Sequence, residues 1–221
     1  MPNSPRGASI CTYTWPGGTR KPSVTSLKWW ISDSIEVESS ERGVQQTLQH
    51  LGDLGHRRVT VLSWAVETSP DRGAERAVAR SAAALGIECR IVPCAYSLNG
   101  SRPLALELLS GPERPTAVLC LSDSIAYGVY AACAELGLAV PGDVAVAGFG
   151  DHPISRLLAP PLTSTAWDIE RVAELSAGFL VRAIAADGPQ ATLREVIAPA
   201  LMERASTGVP SVRASDISVR R

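Results

Sequence analysis

From residue 41 onward the chain alternates two apolar patterns, and that alternation limits what it can fold into. Residues 41–54 place Val44, Leu48, Leu51 and Leu54 at helical spacing, and Gly55 follows where a helix end favours a left-handed residue. His56-Arg57-Arg58 then lead into Val59-Thr60-Val61-Leu62, a short buried strand. The cycle repeats with a helix over 72–85 stopped by Gly86, a strand over 87–92, a helix over 102–110 ended by Gly111-Pro112, and a strand over 116–121. Ser122 and Asp123 are good N-cap residues for a helix over 124–136, which Gly137 closes. Residues 143–149 form another apolar strand, a last long helix covers about 168–186, and a strand pair is expected near 194–203. Strands that read apolar throughout, separated by helices, predict an α/β fold whose parallel sheet is flanked by helices on both faces.

Composition fits a globular chain. Hydrophobic residues make up 45% and charged residues 19% of 221. No apolar run approaches the roughly 18 residues of a membrane helix, and no basic start precedes an apolar core, so a cytoplasmic protein is expected. The net charge of −1 argues against a chain that binds polyanions as a whole. Residues 1–30 carry Arg6, Arg20, Lys21 and Lys28 without an acid and are expected as a disordered basic leader; residues 208–221 are expected as a disordered tail. Of the five cysteines, Cys89, Cys120 and Cys133 fall in apolar segments and read as buried free thiols. His50, His56 and His152 have no metal-ligand spacing, so no metal is expected. His56 reads as the decoration of a helix end.

Four segments carry a family resemblance. They are HLGDLGHRRVTVL at 50–62, PTAVLCLSDSIAYG at 115–128, PGDVAVAGFGDHPISRLLAPPLTSTAW at 141–167 and LMERAST at 201–207. In this order and spacing they resemble the effector-sensing, periplasmic-binding-protein-like (type I) domain of lactose/galactose-repressor (LacI/GalR) regulators. The resemblance implies two α/β lobes facing across a cleft, with ligands where the carboxyl ends of the strands open onto it. It spans residues 31–207, with the second lobe at about 31–165 and 190–207 and a first-lobe helix at about 168–186. A helix-turn-helix, a hinge and most of a first lobe are expected to fall outside this sequence. On that footing the chain should not bind DNA specifically alone, and its ligand affinity should be poor or nil.

The resemblance points to candidate ligand contacts, each with a plainer reading. Arg72 and Arg76 lie one turn apart, and relatives use an arginine here to hold an effector's polar groups; which one corresponds stays open beside a solvated helix face. Tyr96 falls where relatives stack an aromatic on a ligand, or is an ordinary packed tyrosine. Ser122 faces the cleft as a ligand contact or meets only water, while Asp123 lines its edge or caps its helix. Relatives often carry an acid at the position of Gly150; here neighbouring Asp151 could substitute. Ile125, Val129 and Ala132 make an apolar stripe on a helix that lies near a subunit interface in relatives, or is plain core.

No G-x-S-x-G, P-loop or complete G-x-G-x-x-G is present, so no catalytic residue, enzyme activity or cofactor is expected. The expected function is the effector-binding and dimerisation domain of a transcriptional regulator, responding to a sugar or nucleoside-like effector as a homodimer. DNA would be reached only through a helix-turn-helix absent from this chain. The alternatives are a solute-binding transport component of the same fold, or a non-functional fragment.

Overall fold

The computed structural model describes residues 36–37, 40–64, 73–185 and 196–210. The element order is β1 (Glu36–Val37), α1 (Ser40–Asp53), β2 (Arg58–Trp64), α2 (Gly73–Leu85), β3 (Glu88–Cys94), α3 (Leu98–Ser110), β4 (Ala117–Cys120), α4 (Asp123–Leu136), β5 (Ala145–Phe149), a 3-10 turn (Pro153–Leu157), β6 (Thr163–Ala166), α5 (Ile169–Ala185), β7 (Val196–Ile197) and β8 (Ala200–Met202).

Six strands form one sheet in the order β3-β2-β4-β5-β6-β8. The first five are mutually parallel, and β8 runs antiparallel to β6. The continuous apolar strands are explained by burial of both faces. Leu62, Val118, Cys120 and Val146 point to one side, where Ala105 and Leu109 of α3 and Ile125, Val129 and Ala132 of α4 cover them. Val59, Val61, Ala117, Leu119, Ala145 and Ala147 point to the other, against Val44, Leu48 and Leu51 of α1 and Ala77 and Val78 of α2. The apolar stripe of α4 is therefore core. Gly55, Gly86 and Gly137 all stand at positive φ at the helix ends they were expected to close.

Three expectations change. Helix α3 begins at Leu98, because Ser97 caps it by accepting from the Gly100 amide at 3.0 Å; Pro103 lies inside the helix. The strand pair near 194–203 is no hairpin: β7 pairs with β1 and β8 with β6. The link between them is Ala198-Pro199, without the Gly or Asn that a tight hairpin turn requires. Strand β6, Thr-Ser-Thr-Ala, was not expected as a strand because its polarity hides it. Its first three side chains are fully buried, and hydrogen bonds satisfy them.

The close approach of α3 to α4 is set at Gly128. A Cβ there would lie 2.0 Å from Ser101 Oγ and 2.7 Å from the Leu98 carbonyl oxygen. Ser101 Oγ instead donates to the Ile125 carbonyl at 3.0 Å. On α5, Phe179 is buried, Val172, Leu175 and Leu180 are half-buried, and Ile169 remains 59% exposed; the Ile184 side chain lies outside the described residues.

Candidate functional site

The carboxyl ends of β2, β3, β4, β5 and β6 share one edge of the sheet, because parallel strands open their following loops to the same side. Four of the six expected site residues lie along it. Tyr96 follows β3, Ser122 and Asp123 follow β4, and Asp151 follows β5. Arg76 is exposed on the first turn of α2, and Arg72 lies outside the described residues. Two shallow hollows lie away from this edge. One of about 440 Å³ sits between α1 and α2 beside Glu41, Arg42 and Arg80. The other, about 340 Å³, lies at the amino ends of β2 and β3 beside Arg58, Glu88 and Arg90.

The edge residues do different work. Ser122 is the N-cap of α4, its Oγ accepting from the Ser124 amide at 3.2 Å, so the cap falls to Ser122 and not to Asp123. Asp123 is buried and spends its carboxylate on three donors. Ser164 Oγ donates to Oδ1 at 2.6 Å; Ser155 Oγ and the His152 amide donate to Oδ2 at 2.5 and 2.7 Å. That ties α4, β6 and the loop after β5 together. Gly148 makes room for it, since a Cβ there would stand 2.3 Å from Asp123 Oδ1.

Asp151 holds φ at +46°, a region that few non-glycine residues adopt. Its side chain is only 4% exposed and sits between two guanidinium groups, Arg204 Nη1 at 2.6 Å from Oδ1 and Arg156 Nη2 at 2.9 Å from Oδ2. Burial works against its charge, but the facing Arg204 and Arg156 guanidinium groups outweigh that and hold its carboxyl below the usual range. Both expected acids are thus locked into the scaffold.

What remains open at the edge is aromatic. Trp64 ends β2 and meets Tyr96 edge to face, with ring centroids 5.3 Å apart at 70°. Phe149 ends β5 and meets Trp167 in the same way at 5.7 Å. Trp64 was not singled out from sequence; the signal available was an aromatic closing an apolar strand. Among the described residues, no cluster of His, Cys, Asp and Glu could hold a metal, and no helix is long and apolar enough to cross a membrane. Burial pushes the thiols of Cys89 and Cys133 up to about 11, consistent with packing rather than reactivity.

Residues 48–207 match the family model of the periplasmic binding protein-like domain. The ribose operon repressor of Escherichia coli K12 is 33% identical over 184 residues, covering 79% of this chain and 53% of that protein. The chain belongs to the LacI/GalR family of transcriptional regulators. The HTH-type transcriptional regulator GalR of the same organism is 31% identical over 178 residues, covering 78% of this chain and 51% of its own length. The chain thus spans about half the length of these curated relatives. Among solved structures, a regulatory protein of the LacI family from Chloroflexus aggregans superposes with a TM-score of 0.69 at 28% identity, covering 79% of this chain and 63% of its own. A LacI-family regulator from Enterococcus faecium with bound ribose gives 0.72 at 22% identity, covering 81% and 66%, a likeness of fold.

Two LacI/GalR motifs clasp each other here, through residues 157 positions apart in sequence. His50 Nε2 lies 2.8 Å from Thr207 Oγ1, and His56 Nε2 donates to the Gly208 carbonyl at 2.8 Å. His56 is therefore a buried bridge rather than a surface decoration, and the chain is fixed through Gly208. In LMERAST, Arg204 reaches Asp151 and the Leu162 carbonyl, while Ser206 Oγ donates to Val146 of β5 at 2.6 Å and accepts from the Thr163 amide at 2.7 Å. The family signature in this chain is an architectural lock around β5 and β6.

Proposed function

We infer that the carboxyl edge of the six-stranded sheet is one wall of a small-molecule effector site in the sensor domain of a transcriptional regulator. The observation that carries this is the convergence of the loops after β3, β4 and β5 on one edge, bringing Tyr96, Ser122, Asp123 and Asp151 together. Asp123 and Asp151 shape the wall through their scaffold bonds. Ser122 Oγ accepts from the Ser124 amide and keeps its hydroxyl proton to donate. Arg76, on the first turn of α2, is a candidate cationic partner; Arg72, the other arginine candidate, lies outside the described residues. The effector class is sugar or nucleoside-like, in line with relatives named for ribose, galactose and purine regulation.

The working unit is a homodimer in the cytoplasm, and DNA is contacted through a helix-turn-helix outside residues 48–207. Leu157 and Ile154, 82% and 48% exposed on the 3-10 turn beside the edge, are an apolar surface suited to a second copy. The domain boundaries follow the same reading, with β1 to β6, β7 and β8 in the second lobe and α5 in the first. The protein acts by binding rather than catalysis, since the relatives are repressors. The same relatives favour this reading over a transport component.

Calorimetric titration of the full chain with ribose, galactose, lactose and adenosine tests the proposal. Weak saturable binding to at least one compound, reduced several-fold by Ser122→Ala, is expected. Binding that Ser122→Ala leaves unchanged, or none at millimolar ligand, overturns it.

A further inference from the structure

The hollow at the amino ends of β2 and β3 lies at the opposite end of the sheet from the proposed effector edge. Strand geometry builds its floor. Thr60 pairs in register with Arg90, and Arg58 with Glu88, so the four side chains share the sheet face of Leu62, which packs towards α3 and α4. The last turn of α3 brings Glu107 and Leu108 over that face, and Pro112 follows where the chain turns back towards β4. At about 340 Å³ the hollow is within the size range of small-ligand sites.

Two features of this hollow call for a ligand. Thr60 lines it while only 5% exposed, and its hydroxyl has no hydrogen-bond partner among the described residues. Buried hydroxyls are ordinarily partnered, so this one is a donor and acceptor in reserve. The second feature is unpaired charge. Arg58 is engaged with Glu113 at 3.5 Å. Among the described residues, Arg90, Glu88 and Glu107 make no ion pair, although all three line the same hollow. Glu88 and Arg90 stand two residues apart on one face of β3, about 6.6 Å along the strand. One cation and two anions therefore surround one free hydroxyl. A ligand of single charge meets repulsion there as well as attraction. A ligand that carries both charges meets neither group unmatched, since a guanidinium fork takes a carboxylate and a glutamate takes an ammonium.

We propose that this hollow is a second ligand site, for a small zwitterion of the α-amino-acid type. The ligand's carboxylate meets Arg90 and the Thr60 hydroxyl, and its ammonium meets Glu88 or Glu107. Leu108 and Pro112 give an aliphatic side chain an apolar wall. The site is separate from the effector edge, so the chain can register two ligands of different chemistry at the two ends of one sheet.

The test titrates the full chain with L-leucine, with N-acetyl-L-leucine, which lacks the ammonium, and with L-leucine methyl ester, which lacks the carboxylate. Amide chemical shifts locate the site and calorimetry gives affinities. Leucine at millimolar concentration is expected to move the amides of Thr60, Arg90, Leu108 and Gly111 saturably. Each single-charge analogue is expected to bind about tenfold or more weakly, since each loses a charge-assisted contact. Arg90→Gln is expected to weaken leucine by a similar factor, and Thr60→Val by several-fold. Arg90 is exposed, so unchanged circular dichroism and Tm establish that its substitution leaves the fold intact. Analogues that bind as well as leucine, leucine binding that Arg90→Gln leaves unchanged, shifts centred elsewhere, or no saturable shifts at millimolar leucine overturn the inference. None of these results bears on the effector edge, which ribose and adenosine test separately.

Discussion

Ser155 Oγ donates to Asp123 Oδ2 at 2.5 Å, joining the 3-10 turn after β5 to the first residue of α4. Ser164 and the His152 amide share the same carboxylate, so one buried side chain fixes three segments at the edge where the effector is proposed to bind. Removing the carboxylate leaves these donors unsatisfied, at about 1–3 kcal/mol for each that stays buried. Asp123→Ala is therefore expected to lower unfolding stability by about 3 kcal/mol or more in urea denaturation. A loss under about 0.5 kcal/mol would show that the donors find water instead.

Arg204 holds Asp151 and the Leu162 carbonyl together, with its own side chain 15% exposed. Breaking a buried pair from one side costs about 3–5 kcal/mol. Arg204→Ala is expected to fall near the lower end of that range, and Arg204→Lys to recover only part, because the ammonium must reach the one point where Nη1 meets both acceptors. Asp151 ionises more readily folded than unfolded, so its contribution is full above the unfolded carboxyl pKa of about 3.9 and is lost as pH falls through the depressed folded value. Arg204→Ala should flatten that acid limb of the stability curve.

His56 gives a second pH dependence at higher pH. Burial lowers its pKa, the Gly208 hydrogen bond opposes that, and His50 adds to it. Gly208 offers only a carbonyl, so Nε2 carries the proton and Nδ1 accepts from Thr116 Oγ1 at 2.9 Å in the neutral ring. The unfolded chain binds a proton near pH 6.5 that the folded chain resists. Stability is therefore full above about pH 6.5 and falls as pH drops through the folded pKa. Thermal melts between pH 8 and 5 should show this slope, and His56→Gln should reduce it while lowering Tm overall.

The α3–α4 crossing tolerates no side chain at Gly128, where the nearest obstacles include backbone atoms of Leu98 and Arg102 at 2.7 and 2.8 Å. Overpacking of this kind costs about 1–3 kcal/mol. Gly128→Ala should lose at least that much, whereas Gly111→Ala is expected to be neutral. Gly111 has φ −78° and open space where its Cβ would go. Equal effects at the two sites in chemical denaturation would contradict the packing account.

The sheet was legible because Val59–Leu62, 116–121 and 143–149 are apolar on both faces, and Gly55, Gly86 and Gly137 mark helix ends by their backbone freedom. Strand β6 was not legible, since Thr163, Ser164 and Thr165 are buried through hydrogen bonds whose partners are distant in sequence. The same long range hid the roles of the site acids. Sequence places Asp123 and Asp151 at the edge but cannot show that Ser155, Ser164, Arg156 and Arg204 consume them. Trp64 escaped notice because its meaning depends on Tyr96, 32 positions away, across a parallel pairing.

Amide chemical-shift mapping of the labelled chain during titration with adenosine and ribose tests the central claim most directly. The account predicts saturable shifts that cluster at Trp64, Tyr96, Ser122 and Gly150, along the carboxyl edge. Shifts centred on the opposite end of the sheet, around Arg58, Glu88 and Gly111, or no shifts at millimolar ligand, would contradict it.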